Sequence, residues 1–337
     1  MIINNNKIKL LLLITSFSGC SIFDSEGNNE CLINNELPTT NVILGDFIYS
    51  KFASSGQLEV FKTNLKGDSA FITNAGLRNL TTPQLSPDSS TILALVNPGI
   101  TDIGWELYLM DSSGTNIRKA NENRPVFGDN PVWSPDGKFI AFVNCNACPA
   151  SSGFSVYIYS IESKEVVKLT DHTLDVSDPS WLPNSQELVF QSLSRIDTTI
   201  NLYSVSINSG SVRKLTDYRY PFGAGSPKVN PLTGEILFSR ITRTENMGWS
   251  FEPAYLKADG RFKILDFETT GFTQLHWSSN GRHLLTYGEE MNTDEYGIKM
   301  YSYTNQCFQL EGIQGEKGNS IIRDFKEYLN FQWYLNE

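Results

Sequence analysis

The sequence predicts an all-β fold, a six-bladed β-propeller of four-stranded antiparallel blades, and three observations carry that expectation. One layout returns five times along the chain at a fixed step. Each copy reads as four short strands with no helical period in it. The last residues supply the one strand that the first blade lacks.

The layout is clearest at residues 131–144, PVWSPDGKFIAFVN. It recurs as PQLSPDSSTILALV from Pro83, PSWLPNSQELVFQS from Pro179, PKVNPLTGEILFSR from Pro227 and LHWSSNGRHLLTYG from Leu275, a constant step of 48 residues. A period in the forties marks a propeller or solenoid array. Inside one copy, a short apolar strand ends at Trp133 and Ser134-Pro135-Asp136-Gly137 turns the chain. Proline presets φ there, aspartate accepts local backbone bonds and glycine is free to take a positive φ. Residues 138–143 then alternate polar and apolar, as a half-buried strand does. Val156-Tyr157-Ile158-Tyr159 and Val166-Val167-Lys168-Leu169 follow across a turn at Ser163-Lys164. Sheets this small cannot bury both faces alone, so successive units must stack around a ring.

The two ends complete the count. Residues 46–50, 57–63 and 69–73 read as the second, third and fourth strands of a first blade that has no opening strand of its own. Residues 329–335, LNFQWYL, have the opening pattern and are followed by nothing that continues it. If this segment pairs with 46–50, the ring holds six blades and has no open edges.

Upstream of the repeats, Lys7 and Lys9 precede the apolar run Leu10-Leu11-Leu12-Leu13-Ile14, and Phe17-Ser18-Gly19-Cys20 ends it. Residues 1–19 are expected to be a secretory signal, too short in its apolar part to span a bilayer. They resemble a bacterial lipoprotein signal, which implies cleavage before Cys20 and lipidation of that cysteine. The alternative is an ordinary signal peptide. Residues 20–41, rich in Asn, Ser and Glu, read as a flexible tether, and 42–337 as the propeller. The lipid would hold the domain at a membrane surface, with the periplasmic face or the outer membrane as the expected location. The net charge of −10 and a pI near 4.9 argue against nucleic acid as a partner, and a monomer is expected.

The turn SPDG after an aromatic strand, then FIAF, LYSVSINSG and VRKLTD, resembles the TolB-type propeller repeat, the β-propeller half of the periplasmic TolB protein. The resemblance spans about residues 42–335. It implies the fold firmly and the function loosely, because the same repeat occurs in binding proteins, peptidase gating domains and some polysaccharide-active enzymes. Peptidases of this kind keep their serine in a separate α/β-hydrolase domain, and the lyases rely on clustered histidines at the channel mouth.

The remaining cysteines are Cys31, Cys145, Cys148 and Cys307, an even number for an oxidising compartment. Cys145 and Cys148 are spaced to close a small ring in one loop. The expected second bridge, Cys31 to Cys307, would clasp the ring and contribute about 2–4 kcal/mol. No helix N-terminus is available for thioredoxin-like CxxC chemistry, and no further ligands lie close enough in sequence for zinc. Neither a cofactor nor a metal is expected. The sequence holds no GxSxG, HExxH or P-loop motif, so no catalytic residue is assigned. Only His172, His276 and His283 are present, and a lone strand histidine is more often a packing residue.

A working surface is expected where the loops vary, on the face opposite the near-identical SPDG turns. The binding candidates there are Arg195, Arg240, Arg243, Trp249, Phe251 and Tyr296, aromatic anchors beside cations. Trp105 and Phe154 read equally as the first core residues of third strands. Asp129 and Asp178, ahead of opening strands, either face the channel mouth or cap the proline turns. The reading that follows is a noncatalytic lipoprotein module that binds a protein or an envelope component. Its alternative is a carbohydrate-active enzyme of lyase or glycosidase type, which would need paired carboxylates or a His-Arg-acid cluster at the channel mouth.

Overall fold

A computed structural model describes residues 33–34, 331–334 and most of 45–315; the longer stretches left out of that span are 65–68, 97–104, 121–130, 146–152, 244–247 and 291–295. All regular structure among the described residues is strand. In chain order, β1 (Ile33–Asn34) precedes the first blade's β2 (Asp46–Phe52), β3 (Leu58–Thr63) and β4 (Ser69–Thr73). Blade two is β5 (Leu80–Leu85), β6 (Thr91–Val96), β7 (Glu106–Asp111) and β8 (Arg118–Lys119), and blade three is β9 (Val132–Trp133), β10 (Phe139–Asn144), β11 (Ser155–Ser160) and β12 (Val166–Lys168). Blade four holds β13 (Asp175–Trp181), β14 (Glu187–Leu193), β15 (Ile200–Ser206) and β16 (Val212–Lys214). Blade five holds β17 (Phe222–Val229), β18 (Ile236–Arg243), β19 (Trp249–Leu256) and β20 (Phe262–Ile264). Blade six is β21 (Thr269–Trp277), β22 (His283–Glu290), β23 (Tyr296–Thr304) and β24 (Cys307–Gly315), and β25 (Phe331–Tyr334) ends the described chain.

Each blade is an antiparallel sheet in sequence order, and the first is completed as the pattern of the ends requires. β25 pairs antiparallel with β2, with Tyr49 opposite Phe331 and Phe47 opposite Trp333. Trp333 is 2% exposed. The Phe331 ring meets Phe47 edge-on at 5.7 Å and lies 4.4 Å from the His276 ring of blade six. The chain's last strand thus packs between the first and last blades.

The core is not one mass but six apolar clusters, one in each seam between adjacent blades. Ile140, Phe142, Tyr157 and Tyr159 of blade three pack on Leu93, Leu95, Leu107 and Leu109 of blade two. Phe47, Phe331 and Trp333 pack on Leu285, Tyr287 and Ile298 across the closing seam. This explains one departure from the sequence reading. The alternation expected for 138–143 gives way to nearly continuous burial over β10, because both faces of an inner strand are covered by neighbouring blades. The rim strands look out, as all three residues of β16 do.

The turns hold the seams in register. In the SPDG turn Ser134 Oγ donates to Asp136 Oδ1 at 2.7 Å, and the Phe139 N–H donates back to Ser134 Oγ at 2.9 Å. Gly137 takes the positive φ of 71° that the turn needs. Between blades the links repeat with the period: the Trp181 indole N–H donates to the Val132 carbonyl at 3.1 Å, and that of Trp277 to the Lys228 carbonyl at 3.2 Å.

Within the stretch read as a tether, β1 runs parallel to the outer edge of blade six, with Ile33 opposite Phe308 and Ile33 packed against that blade's cluster. Nothing in two isolated residues announced this, since the pairing is set by the partner edge and not by local pattern. Cys145 is disulfide-bonded, with Cys148 outside the described residues. Cys307 opens β24, and Cys31 lies outside the described residues, as does the expected clasp between the two. Cys20 and the signal fall outside the described residues as well, and no described helix is long and apolar enough to cross a membrane.

Candidate functional site

Two places gather side chains that could meet a ligand. The first is the channel on the ring axis. Every opening strand presents the same repeat position to it, the residue after the conserved-step proline or its equivalent: Gln84, Val132, Ser180, Lys228, His276 and Gln332. All six are half-buried, whereas the residues just before them, Pro83, Pro131, Pro179, Pro227, Leu275 and Phe331, are buried. Strand alternation makes this division. The ring they form walls a cavity of about 670 Å³ that opens between the SPDG-type turns, where Pro87, Pro135 and Pro231 form its rim and the Trp133 and Trp277 rings its sides.

Several ring members are occupied with joining blades. Gln332 Oε1 accepts from the Leu85 N–H at 2.6 Å, and Ser180 Oγ from the Val229 N–H at 3.1 Å. His276 contacts Gln274 Oε1 at 3.2 Å, and its ring lies tilted against that of Phe331. Burial, with the Lys228 charge adding to it, depresses the imidazole pKa to about 3, so the ring is neutral at physiological pH. Lys228 is therefore the only charged side chain among the described residues that line the cavity. Among the described residues no carboxylate lines it, and no group of three or more His, Cys, Asp and Glu side chains is fit to hold a metal.

The second place is the long-loop side of blade five. Arg243 ends β18 opposite Trp249, which begins β19. Its guanidinium lies 5.4 Å from the Trp249 ring and 5.7 Å from that of Tyr220, two aromatics that are 51% and 60% exposed. Phe222 is exposed beside them. The apolar surface reaches toward blade four, where Ile196 at the tip of the β14–β15 loop is almost fully exposed and Ile200 touches the backbone of Gly223.

The structure sorts the sequence candidates accordingly. Trp249 and Arg243 come together. Arg240 points the other way in use: its guanidinium is bound to Glu252 at 2.5 Å and covered by the Phe222 and Phe262 rings, so it holds the sheet. Phe251 lies half-buried opposite Ile241, one strand position from that pair. Arg195 is 3.5 Å from Asp175, whose other oxygen accepts the Phe154 N–H. Tyr296 pairs with Glu289 at the start of β23, on another blade. Asp178 sits in a β-bulge of β13 with φ of 51°, the place taken by Thr82 and Ser226 in other blades, while Asp129 lies outside the described residues. Trp105 and Phe154 pack against the seam clusters, as their core reading had it.

Tyr220, Phe222 and Lys228 were not among the sequence candidates. Lys228 was readable, since it stands at the repeat position that faces the axis in every copy. Tyr220 and Phe222 were not, because they stand in the connection before an opening strand and at that strand's first residue, where no repeat signal exists.

No protein-family model matches the chain. Over 117 residues, 34% of its length, it is 29% identical to the uncharacterized peptidase YuxL of Bacillus subtilis (strain 168), of which that stretch covers 17%. Over 132 residues, 39% of its length, it is 28% identical to the uncharacterized protein Atu1656 of Agrobacterium fabrum, covering 42%. The chain thus spans less than half the length of each of these curated relatives. Among solved structures it is similar to TolB from Acinetobacter baumannii, with a TM-score of 0.56, 18% identity and 80% and 66% of the two chains covered. It is also similar to a putative TolB from Agrobacterium tumefaciens (0.52, 19%, covering 67% and 82%) and an oligogalacturonate lyase from Vibrio parahaemolyticus (0.54, 11%, covering 81% and 75%). At such identities the likeness concerns the fold, which these proteins put to different uses. In fold, the chain is a TolB-like six-bladed β-propeller.

Proposed function

We propose that the chain is a binding module of the bacterial cell envelope that receives a protein or envelope component on the long-loop side of blades four and five. The supporting observation is the Arg243 guanidinium held between the exposed Tyr220 and Trp249 rings. Aromatics left in water forgo the free energy of burial, and aromatic and arginine side chains are the commonest energetic anchors of interfaces. Among the described residues no carboxylate pairs with Arg243, so its charge is available to a partner's acid. The pairing of Arg195 and Arg240 with Asp175 and Glu252 also favours binding over sugar chemistry.

Capture from solubilised membranes tests the reading. A Trp249→Ala/Arg243→Ala variant is expected to recover its partner at least tenfold less well than the wild-type chain, as losing two anchors of about 2 kcal/mol each implies. Unchanged recovery would overturn the assignment of this face.

The same reading places the propeller at a membrane through a lipid on Cys20. The mass of the mature chain checks this: it should begin at Cys20 and carry added acyl chains, and an unmodified N-terminus at any other residue would overturn it.

A further inference from the structure

The channel cavity has no part in that reading, since it opens on the opposite, turn-bearing face. Six residues at one repeat position surround the axis, and one of them is a cation. A lysine that served only to fill space there would be costly, because its ammonium must keep its water or find an anion. Among the described residues no carboxylate forms an ion pair with Lys228, and the neighbouring His276 imidazole is held neutral by burial and by the Lys228 charge, so it offers no counter-charge. In a chain of net charge −10, a channel walled by neutral groups around one positive charge is a local inversion of sign.

We propose that the turn-side end of the channel binds a small monocarboxylic acid with an apolar body, its carboxylate meeting the Lys228 ammonium and its body lying between the Trp133 and Trp277 rings. The size is suitable, since about 670 Å³ falls within the usual range for small-molecule sites. The charge is suitable too. One lysine is a point charge without the fork of an arginine, and the walls offer tryptophan, proline and leucine rather than a nest of backbone N–H groups. A phosphate dianion would lose more hydration there than one ammonium returns, whereas a single carboxylate balances it. The Gln84 and Gln332 amides and the Ser180 hydroxyl border the same space.

The test is titration of the full chain with indole-3-acetate, its neutral match indole-3-acetamide, galacturonate and inorganic phosphate, followed by calorimetry and by the indole N–H resonances of the tryptophans. Indole-3-acetate is expected to bind and to move the Trp133 and Trp277 signals, with the amide, the acid sugar and phosphate each at least tenfold weaker. Lys228→Met is expected to weaken the acid ten- to hundredfold, the worth of one charge-assisted hydrogen bond, and to leave the amide unaffected. The same variant should raise the His276 pKa, because a nearby cation is gone, and this shift shows that the fold and the ring around position 228 are intact. Equal binding of acid and amide, or of acid by wild type and Lys228→Met with the His276 shift present, would overturn the proposal. Tighter binding of galacturonate or phosphate would overturn the apolar or the monoanionic part of it, and loss of the His276 signal's dispersion would move the measurement to Lys228→Gln, judged by the same criteria.

Discussion

A chain shortened by residues 329–337 is expected to aggregate or to be cut readily by protease at temperatures where the full chain is intact. The removed segment contains β25, whose Phe331, Trp333 and Tyr334 are at most 7% exposed. Each such side chain contributes on the order of 1.5–3 kcal/mol on burial, an upper figure for area of this kind. Their sum is comparable to the whole net stability of a typical domain. The loss also falls on two seams at once. Phe331 and Trp333 belong to the cluster shared with blade six, and Tyr334 to the cluster shared with blade two. The deletion would in addition lay bare the hydrogen-bonding edge of β2 toward the axis, the kind of open edge that recruits other chains. Size-exclusion chromatography, limited proteolysis and a thermal melt read the outcome; a shortened chain that melts with the intact one would refute closure by this strand.

The second large effect is expected at Gly281. It takes φ of 68° in the turn of blade six, and an added Cβ would stand 2.3 Å from Asn230 Oδ1, 2.7 Å from Leu232 Cβ and 2.9 Å from the Leu232 nitrogen. Those atoms cannot step aside. Asn230 is buried, accepts the Leu232 and Thr233 N–H groups through Oδ1 at 2.8 and 3.1 Å, and donates through Nδ2 to the Gly281 carbonyl at 2.9 Å. Gly281→Ala therefore forces the turns of blades five and six apart and should cost about 3 kcal/mol or more in urea denaturation. Gly56→Ala is the control: its φ is 74°, but nothing lies within 4 Å of the added carbon, so only the backbone cost of about 1–2 kcal/mol remains. Equal losses at the two positions would show that crowding between the turns is not what matters.

The ring was legible because its signals are covalent spacing and local turn chemistry. A step of 48 residues, Ser-Pro-Asp-Gly between strands and an unpartnered LNFQWYL at the end need no knowledge of tertiary contacts. The site was legible only in part. Trp249 and Arg243 stand out as residue types beside a long loop, but their neighbour Tyr220 is brought in by blade-to-blade packing, which leaves no mark on sequence. Arg240, the same residue type three positions earlier, is consumed by Glu252, its cross-strand partner. The turns are near-identical, so their own residues say little about their face. Yet the variation that matters there is not in the turns themselves but in the single axis-facing position behind each proline or, in the last copy, behind Leu275, where the copies carry Gln, Val, Ser, Lys and His.

Because β25 opens the first blade and is the last described strand, no stretch of chain that stops short of it holds a whole circle. A polypeptide delivered N-terminus first can assemble its later sectors as they appear, but the first sector stays one strand short until Phe331–Tyr334 arrives. The order of synthesis is thereby written into the geometry: the ring shuts only once that strand has emerged.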